Sequence, residues 1–288
     1  MSGGATLLVS LVLYRPDLAL LGQTLATLEA AIGEAYWAGL LGETRILLTD
    51  HSPTPLDALE WATKVCRCAA SLASLGTATM WRPAVSANGT AIEYDYVGAN
   101  PGFGAGHNRA FRAGGGEGVD FFLVANPDLE FADDSLSEGL RYLAQHPDCG
   151  LLAPHLSEAE GPGRPAAFRT PRGTTLLRRF LGLRGRSEAH YECRDLAGRP
   201  FAPDIVSGCC MLWRSAAYAR LGGFDERYFL YFEDFDLSRR AALQGLTAYC
   251  PTMRVRHHGG GAGRKGWRHV TYMLRSAWRF HRQHGMRW

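Results

Sequence analysis

Residues Ser207 to Gly259 read SGCCMLWRSAAYARLGGFDERYFLYFEDFDLSRRAALQGLTAYCPTMRVRHHG, and the punctuation of this stretch decides the fold. Small residues at Ser207-Gly208 lead into an apolar run to Trp213, the pattern of a buried strand that begins at a close backbone approach. A short helix ends at Gly222-Gly223. Aromatic and acidic residues then crowd together in Phe229-Leu-Tyr-Phe-Glu233-Asp234-Phe-Asp236. From Asp234 the chain reads as helix: Asp236 and Arg240 stand at i and i+4, where they pair on one face, and Gly245 ends the run. A strand to Cys250 follows, then Pro251, then Arg254-Val-Arg-His257-His258. Glu233, Asp234 and Asp236 are like charges walled by aromatics. Each raises the others' pKa and the apolar wall adds desolvation, so one of them can become a working base. The plainer reading of the same residues is the acidic first turn of a helix.

Taken together, these residues resemble the inverting family-2 glycosyltransferases of GT-A fold, above all rhamnosyltransferase-like members. That signature is a small-residue strand, GGFDE, an aromatic-ED-x-DL-x-x-R helix and a strand ending in His. It stands here as Ser207-Gly208, Gly222-Gly-Phe-Asp225-Glu226, Glu233-Asp234-Phe-Asp236-Leu237 with Arg240, and His257. The fold the resemblance implies is α/β, with a mostly parallel, doubly wound central sheet flanked by helices and a C-terminal amphipathic helix. It implies one compact domain, with residues 1–130 as the nucleotide-sugar half and residues 131–260 as the acceptor and catalytic half.

The totals agree with a soluble globular chain: 288 residues, 46% hydrophobic and 20% charged. A net charge of +3 does not point to nucleic acid. Positive charge concentrates in residues 164–199 and from Arg254 onward, nearly all of it arginine, the residue suited to phosphate. Met1–Tyr14 has neither a basic start nor a cleavage site, and no apolar run approaches the roughly 18 residues that cross a bilayer. The seven cysteines are irregularly spaced, and Cys66-Arg-Cys68 lacks a second pair at zinc spacing. Reduced thiols and a cytoplasmic location are the expectation.

Thr6–Tyr14 is a short apolar run ended by Arg15-Pro16-Asp17, which reads as a buried strand and then a helix start; Leu18–Ile32 has helical spacing. Arg45–Thr49 is a second strand, ended by the turn cluster Asp50-His51-Ser52-Pro53. Strand, helix, strand with a polar turn at the carboxyl end opens a doubly wound fold, in which ligands gather at that edge. Residues 63–92 suggest a helix to Leu75 and a hairpin turn at Asn88-Gly89, and Glu93–Val97 reads as a strand. Asn100-Pro-Gly-Phe-Gly-Ala-Gly106-His-Asn108 then runs into a helix, a glycine turn whose backbone N–H groups suit a phosphate or simply a tight turn. Asp120–Ala125 is a buried strand capped by Asn126-Pro127-Asp128. Asp134–His146 reads as helix and Gly150–Ala153 as strand. Residues 157–203 form a long loop with one helical run near Leu176–Leu183, expected over the acceptor side. From Arg264 the tail is a basic amphipathic helix with Trp267, Val270, Thr271, Leu274, Trp278 and His281 in one stripe. Two uses stay open for it: lying on an anionic membrane face, or packing the stripe on the domain and offering arginines to a diphosphate.

By the resemblance, the donor is a dTDP- or UDP-sugar, with dTDP-L-rhamnose favoured. Its pocket takes Tyr14, Asp50 (reading the base), Asn100, Gly106, Asn108, Asn126 and Arg275. Asp128 and His257 become ligands of a divalent cation, Mg²⁺ or Mn²⁺, although Asn126-Pro127-Asp128 keeps one carboxylate where the family commonly has two. Asp234 becomes the base that accepts the acceptor hydroxyl's proton, with Glu233, Ser207 and Gly208 positioning a surface-glycan or lipid-linked saccharide acceptor. Asp50 alone would equally be an Asx turn. Two other classes fit less well. A dinucleotide-dependent oxidoreductase is disfavoured because Gly102, Gly104 and Gly106 miss the required spacing. A non-catalytic nucleotide-sugar binder would be expected to lose Asp128 or Asp234, and both are present.

Overall fold

The computed structural model describes residues 4–57, 80–81, 90–157, 163–170, 190–258 and 267–285. The expected helix to Leu75, the turn at Asn88-Gly89, the run at Leu176–Leu183, Cys66, Cys68, Arg264 and Lys265 lie outside the described residues.

Chain order is β1 (Ala5–Leu13), α1 (Leu18–Trp37), β2 (Leu41–Asp50), β3 (Met80–Trp81), β4 (Ala91–Tyr96), α2 (Phe103–Ala113), β5 (Phe121–Ala125), β6 (Leu129–Phe131) and α3 (Ser135–Gln145). Then come β7 (Leu151–Ser157), β8 (Arg164–Pro165), β9 (Ala167–Phe168), β10 (Ile205–Val206), β11 (Cys210–Arg214), α4 (Ser215–Arg220), α5 (Glu233–Ala242), β12 (Thr247–His257) and α6 (Trp267–His284). The main sheet has the order β3-β4-β2-β1-β5-β11-β7-β12-β6, with β8 on β7. Strands β4, β2, β1 and β5 are parallel neighbours, β11 runs antiparallel between β5 and β7, and β12 is parallel to β7.

The apolar runs explain this arrangement. Leu7, Leu8, Val9, Leu11 and Leu13 of β1 are all buried, as are all residues of β5, because helices cover both faces of the sheet. One core joins the strands to Leu21, Leu25, Leu28 and Ile32 of α1 and to Leu136, Leu140 and Leu143 of α3. The other joins them to Phe111 of α2, Tyr218 of α4 and Leu237 of α5. Asp17 caps α1 through Oδ1, which accepts the amides of Ala19 and Leu20, so Arg15-Pro16-Asp17 both ends a strand and starts a helix.

Two readings need correction. Within the loop expected over residues 157–203 the described residues form the short strands β8 and β9. The strand expected to stop at Cys250 continues through Pro251 to His257. Proline removes a ladder donor, but the register shifts between Tyr249 and Arg254, and this irregularity absorbs the missing N–H. The continuation matters, because it carries His257 to a position opposite Leu129, beside Asp128.

The register gathers the carboxyl ends of four strands at one edge: Leu13 lies beside Asp50, Asp50 beside Tyr96, and Leu11 beside Ala125. Antiparallel β11 begins there too, with Cys210 opposite Ala125. The five described cysteines, Cys149, Cys193, Cys209, Cys210 and Cys250, are buried and unbridged. Among the described residues no helix is long and apolar enough to cross a membrane.

Candidate active site

At the end of β2, Asp50 is fully buried. Its Oδ1 accepts the Ser52 amide at 2.8 Å, closing an Asx turn, and its Oδ2 accepts the Tyr94 hydroxyl at 2.7 Å. The Leu56 amide donates to that same hydroxyl at 2.8 Å, and Ser52 Oγ takes the Arg15 amide at 2.7 Å. Asp50 thus shapes the 51–56 turn from inside, while Tyr14, half exposed, stands at the surface of the same edge. Tyr94 is a residue that the sequence reading misses. The alternation Ile92, Tyr94, Tyr96 in a strand is the signal that one tyrosine faces inward and needs a partner.

The glycine-rich turn after β4 is an interlock. The Asn100 side chain accepts the Gly102 amide. Gly102 has φ +109, and a Cβ there would fall 2.4 Å from the Phe229 carbonyl oxygen, which accepts the Phe103 amide. A Cβ at Gly104 would meet Phe224, and one at Gly106 would meet Val12 and His51 at 2.6 and 2.7 Å. Asn108 is 5% exposed and uses its whole amide. Its Oδ1 accepts the Tyr218 hydroxyl and the Phe224 amide, and its Nδ2 donates to the Phe224 carbonyl and Glu226. Asn108, expected beside the donor, therefore joins α2 to the Gly222–Glu226 loop, while Gly106, expected there too, lets α2 approach Val12 and His51. Under them lie two histidines that the sequence did not flag. His107 Nδ1 is 2.8 Å from Ser10 Oγ, and burial holds its pKa down to about 3. His51 is lowered too, first by burial.

Asn126, Asp128 and His257 converge. His257 Nε2 is 3.2 Å from Asp128 Oδ1 and 3.3 Å from Asn126 Nδ2, and a quarter of each ionisable side chain is exposed. The backbone ties them as well, since the His258 amide donates to the Asp128 carbonyl. A divalent cation fits these residues. Asp128 Oδ1 is shielded from solvent, and its polar neighbour among the described residues is the His257 imidazole nitrogen at 3.2 Å, which also faces Asn126. A hard ion takes carboxylate and amide oxygen, and a manganese-like ion takes imidazole as well. Among the described residues no three His, Cys, Asp or Glu side chains converge for a metal, so substrate oxygens would have to complete the shell.

The second acidic group sits at the start of α5. Asp234 Oδ2 accepts the Gly208 amide and Oδ1 accepts the Phe235 amide, each at 2.9 Å. A Cβ on Gly208 would lie 3.0 Å from Asp234 Cβ, so glycine is what lets that amide approach. Burial raises the Asp234 carboxyl above its usual range, while these backbone donors pull the other way. Glu233 is 5% exposed and its Oε2 has no partner among the described residues. Burial, then the Asp234 charge, push it well above the usual range. Of the two, Asp234 has backbone donors for its charged form, so it gives up its proton before Glu233. Tyr231 and Phe232 immediately before them have φ +69 and +66, strain stored at the entrance to the pair.

The two acidic groups share a support. The Gly208 amide holds Asp234, and the next carbonyl, of Cys209, accepts the Asn126 amide at 2.9 Å. Ser207 donates its amide to Ala166 and is partly exposed beside them. Asp236, fully buried, pairs with Arg240 as the spacing requires, and also accepts from Gln283 and faces His284 of α6 at 2.7 Å. Arg240 reaches the carbonyls of Leu221 and Gly223.

Of the two uses left open for the α6 stripe, packing on the domain is met only in part: Val270, Thr271 and His281 are half-buried. Phe280 and Ser276 are buried, with Met273 and Ala277 against the cluster of Tyr228 and Phe232, whereas Trp267, Leu274 and Trp278 are 79%, 56% and 63% exposed. Tyr228, Phe232 and the Leu230 carbonyl, which accepts Ser276 Oγ, receive the narrower face of small residues and one phenylalanine. Arg275 lines a groove with Arg227, Phe229, Tyr272 and Arg279.

The family profile described as "Glycosyltransferase like family 2" matches residues 96–278, more than half of the chain. An N-acetylglucosaminyl-diphospho-decaprenol L-rhamnosyltransferase of Mycobacterium tuberculosis is 34% identical over 177 residues, covering 56% of this chain and 57% of that relative. The chain thus spans little more than half the length of that relative. Among solved structures, the Pyrobaculum calidifontis mannosyltransferase PcManGT with GDP-Man and Mn²⁺ superposes with a TM-score of 0.55 at 16% identity, covering 96% of this chain and 65% of that one. GalNAc-T7 with UDP, GalNAc and Mn²⁺ gives 0.54 at 14% identity, covering 89% and 44%.

Proposed function

The chain belongs to glycosyltransferase family 2 and has the GT-A fold, and from that premise we propose that it transfers a hexosyl group from a nucleoside-diphosphate sugar to a saccharide hydroxyl with inversion. One observation carries the reading: adjacent residues Gly208 and Cys209 hold the Asp234 base and the Asn126–Asp128–His257 group in a single frame.

In this mechanism the acceptor oxygen attacks the anomeric carbon as its proton passes to Asp234. The bond to the diphosphate breaks, and its electron pair leaves with the phosphate oxygen. One base opposite the leaving group gives a single displacement and inverts the centre. Asp128 and His257, with Asn126, would hold Mg²⁺ or Mn²⁺, which when bound neutralises the departing diphosphate. Glu233, protonated, faces the acceptor side, and Ser207 and Gly208 position acceptor and base. Tyr14, exposed at the edge that Asp50 organises, covers the nucleotide base; Asn100 fixes the turn beside it. Residues 1–130 and 131–260 act as donor and acceptor halves on one sheet.

The donor we favour is a dTDP- or UDP-sugar, with dTDP-L-rhamnose first, and the acceptor a lipid-linked or surface-glycan saccharide. The mycobacterial relative's name, an L-rhamnosyltransferase acting on a diphospho-decaprenol sugar, supports both. The buried, unbridged cysteines among the described residues suit the cytoplasm, a reducing compartment.

Thermal-shift binding tests the reading. UDP, dTDP and their glucose and rhamnose conjugates are added with and without Mn²⁺ or Mg²⁺, and a ligand of the folded state raises the midpoint. A metal-dependent rise with dTDP forms supports it, and release of free nucleotide distinguishes an enzyme from a binder. No rise with any nucleotide overturns it.

A further inference from the structure

We propose that the outer face of α6 docks the protein on an anionic phospholipid surface. Trp267, Leu274 and Trp278 are the largest exposed apolar side chains of the helix, and at 100° per residue they fall within a sector of roughly 40°. Their exposure is not a failure of packing, because the opposite face, through Ser276 and Phe280, is already buried against the domain. The outward face is therefore available for another surface.

Charge selects that surface. Trp267–His284 contains no Asp or Glu, and Arg275, Arg279 and Arg282 fall within about 60° of one another beside the apolar stripe. Arg282 lies over the Trp278 ring at 5.2 Å, so cation and indole are presented together. Leu274 and Trp278 of the stripe also line a groove of ≈ 710 Å³ with Tyr272, Arg275, Arg279 and Arg227, the last already paired with Asp225, and this groove is a seat for phosphate of a lipid headgroup. Tryptophan at the headgroup level, leucine below it and arginine on lipid phosphate is the chemistry of an interfacial helix lying in the membrane plane. A soluble protein partner would need acidic complementarity without calling for paired tryptophans.

The test is co-sedimentation of the whole chain with vesicles of phosphatidylcholine alone or doped with phosphatidylglycerol. Binding is expected only to the doped vesicles and is weakened by salt. Arg282→Gln should weaken it about fivefold, the loss for one surface cation. Joint replacement Trp267→Ser, Leu274→Ser, Trp278→Ser should weaken it more than ~tenfold. Thermal midpoints should not move, since all four side chains are exposed, and nucleotide binding by these variants should stay at wild-type level, so failure here is distinct from failure of the transferase reading. Equal binding to both vesicle types, or none, overturns the proposal. So does a lipid-free dimer in light scattering that the triple replacement dissolves, because the stripe would then belong to a second copy of the chain.

Discussion

Asp128 and Glu233 are acids held at the same edge of one sheet, and their surroundings are opposite. Asp128 is a quarter exposed and faces an imidazole and an amide, so its surroundings accept charge from outside. Glu233 is buried with an oxygen that has no partner among the described residues, and burial favours its protonated form. Asp234 beside it shows how small the difference in wiring is: two backbone amides offset part of the burial penalty on its charge. One group waits for a cation and the other manages a proton, which are the two needs of sugar transfer from a diphosphate.

The largest effect expected from breaking this division is at the base. Asp234→Asn should lower kcat by about 10²–10⁴, the usual worth of a general base, with the fold intact by circular dichroism. A fall of less than tenfold would place the base elsewhere. The pH profile of the wild type sharpens the point: its acid limb should lie above the ordinary carboxylate range, because burial raises Asp234.

Next comes the cation group. Asp128→Asn should cost about 10²–10³ in turnover and abolish the metal-dependent thermal shift with dTDP or UDP. Asp234→Asn should leave that shift in place. If both variants lose it, the two groups are one electrostatic unit and the comparison fails.

Asn108 tests what lies between. Its amide makes four hydrogen bonds that fasten α2 to the Gly222–Glu226 loop. Asn108→Ala should cost about 2–4 kcal/mol in denaturant unfolding, since buried donors at Tyr218 and Phe224 lose their acceptor. The donor KM of the folded protein should not change. A raised KM at unchanged stability would return Asn108 to the donor pocket.

Asn108 also marks where sequence reading ends. Apolar runs, caps and the Asp236–Arg240 spacing are local signals, and they located most described strands and helices, because burial on both faces of a sheet writes itself as continuous hydrophobic sequence. That Asp128 and His257 stand together was legible only through the family resemblance, not from local signals, since it depends on β12 running past Pro251. The link to Asp234 through the Gly208–Cys209 peptides had no signal in the sequence. The glycines at 102, 104 and 106 read, in sequence, as room for a phosphate or as a tight turn. The structure uses that room for Phe229, Phe224 and Val12, and a sequence cannot say which neighbour a missing Cβ admits. The same holds for α6, where periodicity gave a stripe but not which side of the helix the domain would take.

The smallest expected effect isolates the proton-holding acid. Glu233→Gln keeps shape while removing ionisation. The folded carboxyl is raised above its ordinary 4.5, so its favourable contribution is complete below that pH and is lost as pH climbs towards the folded value. In that window the unfolded chain releases a proton that the folded protein retains, which favours unfolding by about 1.4 kcal/mol for each pH unit crossed. The glutamine variant has no such slope. Its midpoint should therefore match wild type under acid and exceed it increasingly towards neutral pH. Turnover should stay within about tenfold if Glu233 works in its neutral form, because an amide also donates a hydrogen bond. A variant less stable at neutral pH than at acid pH, relative to wild type, would mean that Glu233 is ionised and paired in the fold. The contrast with Asp128 would then vanish.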